Sequence, residues 1–486
     1  MGRLLRRTLL ASAAVGLSVV LAAPLAGAKA SDWTTYHHDD QRTADAVMAP
    51  GKTFTSFTPA WTWHIPQGIS AQTLYGEPLI AGGVVYVASN SNWVYALSAS
   101  SGKLLWQVRV GPPEHSQGNG VCGDIRPYLG IVSTPVIDLS RQELFVVAAI
   151  ATDTDHRIPV RTLFGLNLQT GAIELSRDVE PQPGSPNPYL LQRAALAEVD
   201  NQIVIGFGGN DGDCGNYHGW LVSTAADSSS TAVHRYKVTS DKVNPGDDGG
   251  AIWMGGAAPT IDTSGNLLVA TGNSNWYQDC PSGVGAPFDD SDSVLSLSPT
   301  MGLLDYFEPS SFGYDNCHDL DLGSGAPQLL ESGLVLQIGK THVGYLLHAD
   351  NLGHATAPAG SFTVCSGGQD NGAAAIISQT ATQSVLAVPC SSGLEKVTIS
   401  SSPSVSGSVN WTVSSTGPPI LAEGDLFAIE PSTSNSTLVE LSPSGTIVRQ
   451  RQIGPVMNHF ATPAAGDGIL VAAASGEVFA FKPTGP

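Results

Sequence analysis

Apolar positions along this 486-residue chain come in short runs separated by small polar turns. Residues 78–111 set the unit: PLIAGGVVYVASNSNWVYALSASSGKLLWQVRVG. Apolar residues after Pro78 lead into a Gly82-Gly83 turn, then the runs Val84–Ser89, Trp93–Ser98 and Leu104–Val110. The runs are rich in β-branched and aromatic residues, and each gap carries Gly, Ser or Asn. This predicts one four-stranded antiparallel sheet.

The unit recurs, opening at Pro135, Ala194, Pro259, Pro327, Ala373, Pro419 and Pro463. Pro78 and Pro463 lie 385 residues apart over seven intervals, a mean of 55 per repeat. The eighth unit stops before its outermost strand, and Trp61-Thr-Trp-His-Ile65 can supply it. Such closure removes the exposed edges of an open array. The prediction is all-β: one eight-bladed propeller over 61–486, closed by the N-terminal strand, behind a polar lead-in segment at 29–60. Seven blades stay open as the alternative count, and a sandwich or stacked barrels as the alternative architecture.

Composition agrees. Glycine and proline make up 86 of 486 residues and charged residues 13%, about half the usual charged share. The chain has 22 Lys and Arg against 42 Asp and Glu, a net charge of −20. That disfavours nucleic acid and anionic membranes as partners. Arg3, Arg6 and Arg7 precede an apolar stretch, Leu9 to about Ala26, and an Ala-x-Ala site. A cleaved export signal over 1–28 is expected, general or twin-arginine. No later apolar run reaches membrane-spanning length. In a secreted or cell-envelope protein the six cysteines read as disulfides, Cys365–Cys390 foremost. No C-x-x-C-H haem motif occurs.

The phrase Val85-Tyr-Val-Ala…Val94-Tyr-Ala-Leu…Gly102-Lys-Leu-Leu-Trp106 resembles the repeat of pyrroloquinoline quinone (PQQ) propellers. That family holds quinoprotein alcohol dehydrogenases and non-catalytic relatives, including outer-membrane assembly scaffolds. Gly249-Gly-Ala-Ile-Trp253 followed by Thr271-Gly-Asn273 is similar to the dehydrogenase segment whose Trp underlies the quinone and whose Asn binds calcium. An aromatic platform suits a flat quinone, and oxygen donors suit Ca²⁺. Lys340, in Gln337-Ile-Gly-Lys-Thr341, resembles the cation that contacts the quinone oxygens. Arg126, in Asp124-Ile-Arg, resembles the Arg that meets a cofactor carboxylate. The resemblance also implies a third-blade carboxylate as a metal ligand, for which Asp211 stands, and a catalytic base, for which Asp289 and Asp290 both stand. Asp290 is a further candidate metal ligand. One departure is plain: the dehydrogenases have two adjacent cysteines here, whereas Cys122 is followed by Gly123.

Gly339-Lys340-Thr341 mimics the end of a phosphate-binding P-loop, but the glycine spacing is off and a strand follows. His37-His38 sits in a polar segment rather than a metal pattern. The expectation is a secreted quinoprotein-like dehydrogenase that oxidises an alcohol or sugar hydroxyl with PQQ and Ca²⁺ and passes electrons to a separate acceptor. The alternatives are a non-catalytic propeller that binds a protein or glycan at the cell surface, and a calcium-dependent lyase or hydrolase.

Overall fold

The computed structural model describes residues 32–485, apart from 67–71, 117–121, 211–213, 240–247, 275–287, 356, 368–371, 415–416 and 456–459. The expected export signal lies outside the described residues. Eight sheets make up the ring, each built on four antiparallel strands; the third has a fifth short strand, and the seventh takes Asp45–Ala46 as a parallel fifth beside Ile420–Ala422. The first blade is Leu79–Ala81, Val84–Ala88, Trp93–Ser98 and Leu104–Arg109. The eighth has Ala464–Gly466, Ile469–Ala474 and Glu477–Phe481, and its outermost strand is Trp61–His64, paired Trp61 to Ala480 and His64 to Glu477. The ring is closed as the repeats predict, with eight blades.

Burial explains the strand sequences. Middle strands such as Val84–Ala88 and Ile469–Ala474 are buried between neighbouring blades on both faces and read as continuous apolar runs. Outermost strands such as Leu104–Arg109 and Ile173–Asp178 alternate between half-buried and exposed positions. Tryptophans on outermost strands dock onto the next blade. Trp61, Trp106 and Trp411 donate their indole N–H groups to the carbonyls of Ala99, Leu168 and Pro443. Their rings cover Gly102, Gly171 and Gly445, where a Cβ would come within 2.6–2.9 Å of the indole. Trp61 thus ties the eighth blade to the first.

The lead-in segment does more than the sequence suggests, because it floors the axial channel. Trp33 and Ile80 exchange backbone hydrogen bonds. The N–H groups of Ile137, Ile261, Ile376 and Leu421 donate to the carbonyls of Thr34, Asp40, Thr43 and Ala44. The segment therefore meets the innermost strands of the first, second, fourth, sixth and seventh blades. Arg42, only 1% exposed, anchors it. Its guanidinium donates to Pro259 O from two nitrogens, and to Thr35 Oγ1, Tyr36 O and Asp39 O. His37 stacks on Tyr36 at 4.3 Å, and its backbone N–H donates to Glu77; its role is packing.

Candidate functional site

In an antiparallel blade, the connection between the second and third strands and the crossing to the next blade lie at the same end. Every candidate residue falls on such a segment. Arg126 is on the crossing from first to second blade, and Trp253 on that from third to fourth. Asn273, Asp289 and Asp290 lie between Leu267–Ala270 and Val294–Leu297 of the fourth blade; Lys340 lies between Leu334–Ile338 and Val343–His348 of the fifth. All therefore belong to one face, opposite the floor. Asp211 lies outside the described residues.

Lys340 and Asn273 come together around two carboxylates that the sequence reading passed over. The Lys340 ammonium lies 2.7 Å from Asp319 Oδ1 and 2.5 Å from Asp321 Oδ2. Burial pulls this ammonium down, but the charges and hydrogen bonds of Asp321 and Asp319 outweigh it. Its pKa ends above the ordinary lysine value, so Lys340 stays charged. The Asn273 backbone N–H donates to Asp321 Oδ1 at 2.8 Å and its side-chain amide to Asp319 Oδ1 at 3.3 Å. Asn273 Oδ1 is buried without a hydrogen-bond partner. Gly272 permits this approach: a Cβ there would lie 2.5 Å from Asp321 Oδ1.

Asp289 and Asp290 are placed differently. Asp289, 2% exposed, turns Oδ1 onto the Ser291 N–H and hydroxyl. Asp290 Oδ2 accepts from the Tyr236 hydroxyl at 2.6 Å. Burial pushes Asp290 up to about 6, with help from the charge of Asp289 and against the Tyr236 hydrogen bond. Burial and both aspartates also push Glu308 up to about 7. Asp292 is wholly buried, accepts from Leu322 N–H at 2.9 Å, and is held well above the carboxylate range by burial and by Asp321.

Trp253 is half-buried beside Tyr75, Ile125, Leu129 and Leu191. Phe460 meets it edge-on at 5.2 Å, and the Arg193 guanidinium carbon sits 5.9 Å from the ring centroid. Arg126 is exposed and donates to Gly123 O at 3.1 Å. Among the described residues no group of three or more His, Cys, Asp or Glu is set to hold a metal ion. Disulfides join Cys365 to Cys390, as expected, and Cys122 to Cys214. The second staples the crossing that bears Arg126 to the third blade. No helix among the described residues is long and apolar enough to cross a membrane.

Three residues escaped sequence reasoning. Asp319 and Asp321 stand in His318-Asp-Leu-Asp321, a faint signal beside the denser acidic run at 289–292. Arg193 is a lone charge within the apolar stretch Leu190–Ala197, and that isolation was its only mark.

A family model described as "Outer membrane protein assembly factor BamB" matches residues 58–296. No curated protein matches the sequence. Among solved structures, the quinohemoprotein alcohol dehydrogenase from Comamonas testosteroni is similar, with a TM-score of 0.65 at 14% identity over 95% of this chain and 82% of that one. A europium-containing methanol dehydrogenase gives 0.64 at 13% identity over 92% and 91%. BamB from Moraxella catarrhalis gives 0.51 at 10% identity over 87% and 97%. These likenesses concern the fold. With the repeat phrase, the eight closed blades and the family match, they place the chain in the PQQ-like β-propeller repeat family.

Proposed function

We propose that this is an exported quinoprotein-type dehydrogenase that oxidises an alcohol or sugar hydroxyl at the axial face. The carrying observation is the constellation of Lys340, Asp319, Asp321 and Asn273, with Trp253 on the neighbouring crossing. The residues suit a planar anionic cofactor. Trp253 offers an aromatic surface, Lys340 a permanent cation, and Arg193 a buried guanidinium nitrogen without a hydrogen-bond partner. PQQ, when bound, supplies the two-electron acceptor. Asp321 is the group to take the substrate hydroxyl proton, held in place by Asn273 N–H and Lys340. Lys340 stabilises negative charge that develops at the face.

Calcium fits less well. Around Lys340 the cluster offers one unsatisfied amide oxygen, Asn273 Oδ1, and the two carboxylates beside it are already closed on Lys340. Of the calcium ligands expected with Asn273, Asp290 is engaged by Tyr236, and Asp211 lies outside the described residues.

The test is dye reduction by the mature protein incubated with PQQ, across a panel of alcohols and sugars. Turnover should fall about 100-fold or more in Lys340→Ala and Asp321→Asn, and little in Asp289→Asn. Absence of turnover in the unsubstituted protein would overturn the reading. Loss in Asp290→Asn but not in Asp321→Asn would return the base to Asp290, whose value of about 6 suits proton transfer. A second reading, a non-catalytic propeller that binds a protein partner, is favoured by the assembly-factor description of the matching family and by the saturation of Lys340. It predicts partner capture unchanged in Lys340→Ala.

A further inference from the structure

Two other arginines in the molecule are as deeply buried as Arg193, and both are answered. Arg42 donates to four oxygens of the floor segment and the fourth blade. Arg161 lies between Glu114 at 3.7 Å and Glu180 at 3.5 Å. Arg193 is 2% exposed, and its Nη2 has no hydrogen-bond partner. No ion pair to it occurs among the described residues. Asp124 acts on it only at longer range, and burial lowers its pKa to about 10. A guanidinium stays charged in a protein, so a buried water could accept its hydrogen bond but could not balance its charge.

The surroundings are donors as well. The hydroxyls of Tyr36, from the floor, and Tyr75, from the lead into the first blade, both lie near Arg193, and both are buried without a well-formed hydrogen bond. Gly256 makes the seat: a Cβ there would come within 2.2 Å of Arg193 Nη1. Trp253 lies along one side. Three buried donors, one of them a permanent cation without a hydrogen-bond partner at Nη2, lie near one another between the floor and the face.

We propose that Arg193, Tyr36 and Tyr75 form a binding pocket for a carboxylate-sized anion. The anion is either free or borne by a ligand seated on Trp253. The quinone reading draws on the same guanidinium, but a free anion in this pocket needs no quinone.

Thermal unfolding of the mature protein tests it, with sodium acetate, or PQQ, titrated at constant ionic strength. Acetate should raise the wild-type melting temperature along a saturating curve, by roughly 1–3 °C, and leave Arg193→Met flat. A response to PQQ alone, lost in Arg193→Met, would assign the anion to the ligand. A response to acetate alone would keep the pocket and sink the quinone reading. Equal PQQ responses in both proteins with no acetate response would keep the quinone reading and sink the pocket. Silence of the wild type toward both, or equal acetate responses in both proteins, would also sink it. If Arg193→Met does not fold, Tyr75→Phe decides: its acetate midpoint should rise about tenfold, and an unchanged midpoint overturns the proposal.

Discussion

Arg42 and Arg193 lie on the two sides of Tyr36, one bonded to its backbone and the other near its hydroxyl. Both side chains are almost wholly withdrawn from water. At the floor, every direction of the Arg42 fork meets a carbonyl or hydroxyl, so the charge holds the lead-in segment against the blades. Toward the face, Arg193 lies among phenols and an indole, with Nη2 unanswered. A buried charge with its partners in place is architecture. One without them is a standing cost that binding can offset. The contrast separates the floor segment from the place where an anion is proposed to bind.

Removing each arginine is the most forceful way to break this comparison. Arg42→Met should cost about 3–5 kcal/mol, read as a lowered urea midpoint, because Pro259 O and the floor carbonyls lose their donors. Arg193→Met in ligand-free protein should be neutral or stabilising by about 1 kcal/mol. Equal losses would erase the distinction. Lys340→Ala comes next: about 2.7–4 kcal/mol of transition-state stabilisation should go, seen as lost turnover with a melting temperature little changed. A collapse in stability with normal turnover would make the Lys340 cluster structural. Gly256→Ala should cost about 1–3 kcal/mol and flatten the acetate response, because the new methyl displaces the guanidinium.

The smallest effect is one of sign. At the face, burial raises Asp290 and Asp315 to about 6 and Glu308 to about 7. The folded state thus holds these protons more tightly than the unfolded chain, and stability falls as pH rises from about 4 through 7. At the floor, burial lowers His37 to about 3, so its contribution is present at neutral pH and is lost as pH falls below about 6.5. Between pH 4 and about 6.5 the two contributions oppose each other, so Asp290→Asn should make the urea midpoint rise more steeply with pH there and His37→Phe should make it rise less or fall. The comparison fails if both substitutions change that slope in the same direction.

The blades were legible because each repeats a local rule. Apolar runs between Gly, Ser and Asn turns demand strands, and Trp61 without a neighbour of its own demands a partner across the ring. Lys340, Trp253 and Asn273 were legible through a resemblance, and the structure puts Lys340 and Asn273 in one cluster with Asp319 and Asp321. Asp321 was not legible. It is 48 residues beyond Asn273, on a crossing whose path depends on how two blades pack. The acidic run at 289–292 drew attention by local density, yet much of it faces inward, toward Ser291, Leu322 and Tyr236.

By itself the sequence determined the class of fold, the order of the repeats and the strand that closes the ring. These follow from periodicity and from the need to pair every sheet edge, which are properties of neighbours along the chain. The structure set the count at eight blades rather than seven. Tertiary structure alone decided that the lead-in segment floors the channel, that Lys340 is held by Asp319 and Asp321, and that Arg193 is buried without a hydrogen-bonded counter-charge. Those depend on which loops of different blades meet at the axis. Burial and charge balance there arise from residues tens to hundreds of positions apart, and no local pattern records them.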